Sequence, residues 1–223
     1  MWGTVVNALA IIVGGLTGLI IGKKLSSDLK DTMEKAVGLG VILVGIQMAI
    51  KTENILIVLL SLVIGGIIGE IINIEKFLHG FASKIESLFK SSKGNFVKGF
   101  VTSTLVYCVG AMAVVGSLEA GLTSKYDTLY AKSVLDGISS IVFSSTLGIG
   151  VVFSSVSVFV YQGLITIFAS TLKAFLTQNA ITEMTATGGL LILGIALRML
   201  QIVEIRVGNL LPALVIAVIL SLF

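Results

Sequence analysis

Apolar runs of about twenty residues recur along this 223-residue chain, and they restrict its fold more than any other feature, because such a run crosses the roughly 30 Å core of a bilayer as a helix. The composition agrees: 56% of the residues are hydrophobic and 12% are charged, against about 25% charged in soluble domains. Mean hydropathy is +1.09. We therefore expect an all-α, polytopic transmembrane helix bundle, a single domain over residues 1–223 that has the lipid bilayer as its surroundings.

The apolar runs predict about seven or eight spans. They lie at about 4–22, 36–50, 55–73, 100–121, 130–147, 150–172, 186–200 and 207–223. Residues 75–92 differ, since Phe77 and Phe81 recur at helical spacing among lysines, which predicts an amphipathic helix at the membrane surface. A loop with two helical turns is the alternative.

Lysines are distributed unevenly between the connecting segments. Segments 23–35 and 76–98 together hold nine lysines, whereas the other early loops hold only Lys51 and Lys125. Basic residues in short loops stay on the cytoplasmic side of a membrane. The sequence therefore predicts a multi-pass protein of the inner (plasma) membrane with segments 23–35 and 76–98 in the cytoplasm. With eight spans, both termini lie outside.

The chain partly matches itself when it is shifted by 149 residues. Glu34 then aligns with Glu183 and Gly45 with Gly194. With eight spans the two copies, residues 4–73 and 150–223, run in opposite directions. An inverted-topology repeat of this kind is typical of secondary transporters, whose binding site lies at mid-membrane between the repeats. A chain so rich in Gly, Ile and Leu also produces chance matches, so the repeat stays open.

Residues 130–163 contain many polar groups, which the interior of a bilayer solvates poorly. Lys132, Asp136, Ser140 and Ser144 are each four residues apart, so a helix places them on one face. The two charged residues can pair, which lowers the cost of both. The alternative is structural: a charge pair near the membrane edge, with serines bonded back to their own helix.

Gly148 and Gly150 separate two serine clusters in this segment. They fit a turn between two antiparallel helices. They also fit an unwound point whose free backbone groups and helix ends bind an ion. The sequence leaves open whether residues 130–163 span the membrane twice or form a broken or re-entrant helix.

The candidate substrate- or ion-binding residues are the polar side chains and glycines of this segment with polar residues of neighbouring spans. They are Asp136, Lys132, Ser139, Ser140, Ser144, Ser145, Gly148, Gly150, Ser154, Gln162, Glu119 and Asn7. Asp136 is the expected coupling or ion-binding carboxylate, and Lys132 and Glu119 are secondary partners. A glutamine within a span is more often a hydrogen-bonding group between helices.

Catalytic signatures are missing from the sequence. There is no His-Glu-x-x-His, no Gly-x-Ser-x-Gly and no Walker loop, and Cys108 and His79 are the only residues of their types. We expect no enzymatic activity, no cofactor, no metal site and no nucleic-acid partner. The expected partner is a small solute or ion, and self-association into a homo-oligomer is compatible with the sequence.

Five motifs are distinctive in combination. They are Y-C-V-G-A-M-A-V-V-G-S-L-E-A-G at 107–121, K-S-V-L-D-G at 132–137, S-S-T-L-G-I-G at 144–150, G-G-L-L-I-L-G at 188–194 and R-V-G-N-L-L-P-A at 206–213. In these motifs the chain resembles the YdfK/YqgA-like family of prokaryotic membrane proteins, a domain-of-unknown-function family. The resemblance covers nearly the whole chain and implies an inner-membrane location in a bacterium or archaeon. It implies no substrate.

These observations predict a secondary transporter or permease for a small polar or ionic solute, with its site in spans four to six. Two alternatives remain. In an oligomeric channel the serine stripe would line a pore, and in a membrane scaffold or sensor without transport activity the stripe would only join helices.

Overall fold

The computed structural model describes residues 1–76 and 95–223, and this part of the chain is helical and contains no β-strand. The predicted surface helix at 75–92 falls almost entirely outside the described residues. The helices are α1 (Trp2–Lys23), α2 (Ser27–Ala49), α3 (Ile55–Ile72), α4 (Asn95–Cys108), α5 (Ala111–Thr123), α6 (Asp127–Leu147), α7 (Gly150–Ile167), α8 (Ala169–Leu172), α9 (Gln178–Met199), a 3-10 helix (Val207–Leu210) and α10 (Pro212–Leu220).

The described helices confirm an all-α membrane bundle. Five of them, α1, α2, α3, α7 and α9, are long and apolar enough to cross a bilayer, and the bent pair α4–α5 is either a sixth, broken span or a re-entrant segment. Helix α6, at 21 residues, is long enough to cross a bilayer but is not among these apolar helices, although the sequence predicted a span at 130–147. The last predicted span, 207–223, forms only the short 3-10 helix and the nine-residue α10, which begins at Pro212.

The chain forms two compact units, each built from segments far apart in sequence. Unit one comprises Met1–Val37 and Ile85–Leu172, and unit two comprises Gly38–Lys84 and Lys173–Phe223. Each unit can therefore be completed only after its second segment has been synthesised.

In unit one, α1 and α6 pack side by side in the same direction. Gly14, Gly18 and Gly22 of α1 meet the α6 backbone at successively later positions. A Cβ atom at Gly14 would overlap the Gly137 carbonyl oxygen, and one at Gly18 would overlap that of Ile141. Glycine is needed here because only a residue without a side chain lets two membrane helices approach this closely.

Helix α7 crosses α1 in the opposite direction. Gly15 lies against Val152, near the start of α7, whereas Met1 lies against Gly163, near its end. The residue numbers rise on one helix as they fall on the other, so the pair is antiparallel.

The break in a membrane helix occurs in α4–α5 and not in residues 130–163. The axes of α4 and α5 differ by 57°, and Val109 and Gly110 separate the two helices. The sequence predicted one continuous span at 100–121, because a single glycine, Gly110, within an apolar run does not by itself indicate a helix break. Helix α6 is continuous to Leu147, and Gly148 then takes a φ of +80°, so the Gly148 to Gly150 segment is a turn into α7.

In unit two, the later part of α2 packs antiparallel to α9. Gly45 lies against Gly189, whereas Gly38 lies against Leu200. Most of α9 is buried, and it forms the centre of this unit.

Helices α3 and α10 of unit two also pack antiparallel. Gly65 lies against Ala213, and Gly69 lies against the backbone of Asn209. The three helix pairs that the 149-residue shift relates, α1 with α7, α2 with α9 and α3 with α10, are therefore each antiparallel. An inverted repeat requires this relation, although the repeat itself stays a prediction.

A buried carboxylate on α9 holds the turn before α3. The Glu183 side chain is 0% exposed and accepts hydrogen bonds from Thr52 Oγ1 (2.6 Å) and from the backbone N–H groups of Glu53 (2.8 Å) and Asn54 (3.0 Å). Asn54 in turn caps α3, because its Oδ1 accepts from the Leu56 N–H at 3.1 Å.

Candidate functional site

A buried ion pair lies near the middle of α6. Lys132 and Asp136 are each 5% exposed, and the lysine Nζ lies 2.8 Å from Oδ1 and 2.6 Å from Oδ2 of the carboxylate. The four-residue spacing places both side chains on one helix face, as the sequence predicted. Asn7 of α1 joins them, since its Nδ2 donates to Asp136 Oδ2 at 3.0 Å.

This pair is expensive to bury, which limits how it can be interpreted. Moving each ion out of water costs several kcal/mol, and the attraction between the charges repays that cost only with good geometry and further hydrogen bonds. Lys132 contacts both carboxylate oxygens and Asn7 supplies an additional donor, so these conditions are met. Apolar side chains of similar volume would often be at least as stable, so stability alone does not explain the pair.

Tyr107 links the pair to the broken helix. Its hydroxyl is 2.9 Å from Ser140 Oγ, one turn after Asp136 on α6, and its ring centroid is 5.9 Å from Lys132 Nζ. Such a distance permits a cation–π interaction. Because Tyr107 comes just before the α4–α5 break at Gly110, the ion pair lies beside interrupted backbone.

Tyr107 was not among the sequence-predicted site residues. Tyrosine is common in membrane spans, and nothing in its neighbourhood along the chain indicates that its hydroxyl reaches α6. The available signal is its position just before a glycine that interrupts an apolar run.

Three predicted site serines bond back to their own helices. Ser139 donates to the Leu135 carbonyl (2.8 Å), Ser145 to that of Val142 (2.7 Å), and Ser154 of α7 to that of Val151 (2.6 Å). These hydroxyls are satisfied locally, which was the structural alternative for the stripe.

Ser144 and the two glycines have roles in packing. Ser144 Oγ donates to the Gly15 carbonyl at 2.6 Å and joins α6 to α1. Gly148 forms the turn after α6, and Gly150 lies against the backbone of Phe96 in α4. None of the three makes a hydrogen bond to Asp136 within the described residues, and Gly148 is about 18 Å from it along α6 at 1.5 Å per residue.

Glu119 lies apart from the ion pair. This half-buried side chain on α5 accepts a hydrogen bond from Thr128 Oγ1 at 2.7 Å, near the start of α6. Its described contact therefore joins two helices, and within the described residues it makes no hydrogen bond to Lys132 or Asp136.

A second group of buried polar atoms has no protein partner among the described residues. Both amide atoms of Gln162 belong to it, with Thr4 Oγ1, Ser117 Oγ and Asn7 Oδ1. All four residues are 0% exposed. An unpaired buried polar atom costs about 1–3 kcal/mol, so buried polar atoms usually have a partner. We call these four residues the amide–hydroxyl cluster.

The cluster residues lie on α1, α5 and α7, which contact one another, and packing contacts place them at about one level of unit one. Gly3 and Gly116 both lie against Leu129, and Thr4 and Ser117 are the next residues along the chain. Gly121, one turn after Ser117, lies against the backbone of Thr166, which is one turn after Gln162.

Asn7 connects the cluster to the ion pair. Its Nδ2 is used by Asp136, while its Oδ1 is the unpartnered atom. Of this cluster the sequence predicted Gln162 and Asn7 and missed Thr4 and Ser117, which are lone hydroxyl residues in apolar runs. Among the described residues, no group of three or more His, Cys, Asp or Glu side chains is placed to hold a metal ion.

Comparison with known proteins agrees with the motifs. Residues 2–222 match the family described as "Protein of unknown function (DUF554)". The chain belongs to this family. It is 34% identical over 220 residues to "Uncharacterized membrane protein YdfK" of Bacillus subtilis (strain 168), covering 97% of this chain and 93% of that protein. It is 30% identical over 224 residues to "Uncharacterized protein YqgA" of Escherichia coli (strain K12), covering 98% and 95%.

No solved structure matches the chain. The family resemblance that the motifs indicated is confirmed, and a membrane location is supported by both the apolar helices and the description of YdfK.

Proposed function

We propose that this protein is a secondary transporter of the inner (plasma) membrane for a small polar solute or ion. Asp136 is the coupling carboxylate, and Lys132 and Asn7 are the side chains that it exchanges contacts with during the cycle. The observation that supports this proposal is the buried Lys132–Asp136 pair, bound by Asn7 of another helix and placed beside the α4–α5 break.

Ionisable residues within membrane helices are costly and mark ion or substrate pathways in many membrane proteins. Interrupted membrane helices are the usual binding element of secondary transporters, because the break frees backbone groups at membrane depth. Both features occur here in unit one, within contact distance of the same tyrosine, Tyr107.

The antiparallel helix pairs support the same class of protein. They are what a repeat of residues 4–73 and 150–223 in opposite orientation requires, and inverted repeats allow a site to open alternately to the two sides. The near-complete burial of the pair favours a carrier over an open channel, whose polar lining would be in contact with water.

The test uses the full chain in proteoliposomes loaded with candidate solutes. Counterflow, the uptake of labelled solute driven by unlabelled solute inside, occurs with a carrier and not with a channel. Asp136→Asn keeps shape and hydrogen bonding but removes the charge, and we expect it to lower counterflow by about 100-fold.

The double variant Asp136→Asn with Lys132→Met separates function from structure. We expect the double variant to regain the stability that Asp136→Asn loses, because the unpaired lysine is removed. We do not expect it to regain transport, because the coupling carboxylate is not replaced. Ser133→Ala is the matched control, since this buried α6 hydroxyl is already bonded to the Leu129 carbonyl at 2.7 Å. Full transport by the double variant would overturn the role of Asp136.

The proposed orientation places segments 23–35 and 76–98 in the cytoplasm and the turn at 51–54 outside. In a Cys108→Ala background we expect Glu53→Cys to react with an impermeant maleimide in intact spheroplasts and Ser27→Cys to react only in inverted vesicles. Both positions are exposed, so reactivity reports the side of the membrane. The reverse labelling pattern would overturn the lysine-based orientation.

A further inference from the structure

The amide–hydroxyl cluster lies in the interior of unit one, and the ion pair uses only one of its groups, the Asn7 Nδ2 that donates to Asp136. The ion pair satisfies itself, since Lys132 Nζ contacts both oxygens of Asp136. The cluster atoms, by contrast, have no hydrogen-bond partner in residues 1–76 or 95–223. Gln162 is the clearest case, because its amide has both a donor and an acceptor unpaired in a side chain that is 0% exposed.

These unpaired donors and acceptors determine the kind of molecule that could form hydrogen bonds with all of them. An amide offers one acceptor oxygen and two N–H donors, and each hydroxyl can donate or accept. Asn7 Oδ1 adds another acceptor. A ligand that satisfies such a mixed set must itself carry both hydrogen-bond donors and acceptors.

The charge of the interior restricts the ligand further. Lys132 and Asp136 are the buried charged residues of unit one among those described, and their charges cancel. Glu119 is half-buried and two residues from Ser117, so the helical twist of about 100° per residue turns it well away from that hydroxyl. A solute with a net charge would therefore enter without a counter-charge, which a low-dielectric interior strongly disfavours.

We propose that the amide–hydroxyl cluster (Thr4, Asn7, Ser117 and Gln162) is the solute-binding site, and that its substrate is a small uncharged molecule with several hydrogen-bond donors and acceptors, such as a polyol or a simple amide. This inference rests on the proposed transport function and names its substrate class. Asn7 couples the two parts of the site: its Oδ1 faces the solute's donors while its Nδ2 holds Asp136.

The proposed site predicts which substitutions of buried α7 residues lower solute uptake and which do not. Gln162 has no protein partner, whereas the hydroxyl of Ser154, equally buried on the same helix, is bonded to the Val151 carbonyl. Gln162→Leu should therefore affect solute uptake, and Ser154→Ala should not.

The experiment measures uptake into proteoliposomes by stopped-flow light scattering with four probes: erythritol, acetamide, acetate and methylammonium. We expect the full-length protein to accelerate erythritol or acetamide over empty liposomes and to leave both ions unchanged. Gln162→Leu and, as a second variant, Ser117→Ala should each lower that uptake by about tenfold, the equivalent of roughly one lost hydrogen bond.

Thermal unfolding of each variant identifies misfolding. Removing an unpaired amide from an apolar interior should leave the melting temperature equal or higher. A fall in melting temperature for both Gln162→Leu and Ser117→Ala would mean that these groups join helices, and it would overturn the binding role.

The failures of the two proposals are distinguishable. Accelerated uptake of acetate or methylammonium alone would overturn the uncharged substrate class and leave the transporter proposal standing. Uptake of an uncharged probe that Gln162→Leu and Ser117→Ala do not slow would overturn the site. Acceleration of none of the four probes would overturn the proposed function together with this inference.

Discussion

Two buried carboxylates in this protein are held in opposite ways. Asp136, in unit one, is bound by the side chains of Lys132 and Asn7. Glu183, in unit two, is bound by the Thr52 hydroxyl and two backbone N–H groups, and it has no cation partner in the described part of the chain.

The difference lies in how easily the donors can leave. Backbone N–H groups before a helix are fixed by the chain and carry the positive end of the helix dipole, so they stabilise a carboxylate permanently. A lysine on a flexible stem and an asparagine can change rotamer and release it. Burial alone therefore does not identify a functional carboxylate, and we expect the mobility of the donors to distinguish an exchangeable site from an anchor.

The largest expected effect on stability comes from removing one charge of the pair. Asp136→Leu leaves Lys132 buried without a counter-charge, and we expect a loss of about 3–5 kcal/mol in the free energy of unfolding, measured by thermal unfolding in detergent. The double variant Asp136→Leu with Lys132→Met should recover most of this loss. If it does not, the pair is an anchor of the same kind as Glu183.

The corresponding change in unit two is Glu183→Leu, which strands no charge. We expect a loss of about 2–4 kcal/mol, because three hydrogen bonds to a carboxylate disappear while their donors near the surface regain contact with water. Transport per folded molecule should stay unchanged. Loss of transport in the folded fraction would remove the distinction between the two carboxylates.

The smallest expected effect on stability comes from a hydrogen bond that joins α6, the helix that carries Asp136, to α1. Ser144→Ala removes the hydrogen bond to the Gly15 carbonyl, and we expect a loss of about 0.6 kcal/mol, the average for such bonds between membrane helices. Ser145→Ala is the control, since its hydroxyl bonds within α6 and its removal should cost less. Equal losses would mean that the contact with α1 adds nothing.

The sequence predicted those parts of the site that depend on helical periodicity alone. Lys132 and Asp136 are four residues apart, so a helix brings them together whatever else the chain does. The serines of the same stripe share that spacing, but spacing cannot distinguish a hydroxyl that bonds back to its own helix, such as Ser139, from one that reaches another helix, such as Ser144.

Contacts between distant segments could be predicted only in part. Asn7 and Asp136 were both candidates, but the hydrogen bond between them was not predicted, because the two residues are 129 positions apart and only the packing of α1 on α6 joins them. The sequence left open whether Gly148 and Gly150 form a turn or a helix break; they form a turn, and the break occurs beside the lone Gly110. Glu183 was noticed only as a repeat match, since nothing nearby in sequence indicates the turn that it binds.

The parallel packing of α1 on α6 also determines the order in which the protein can be built. Because 129 residues separate Asn7 from Asp136, at about 5–20 residues per second the ribosome needs roughly 6–26 seconds between them. During that interval α1 must stay in the bilayer without α6. It is among the helices apolar enough to do so, whereas α6, which is not in that set, enters a membrane that already contains its glycine-lined partner α1.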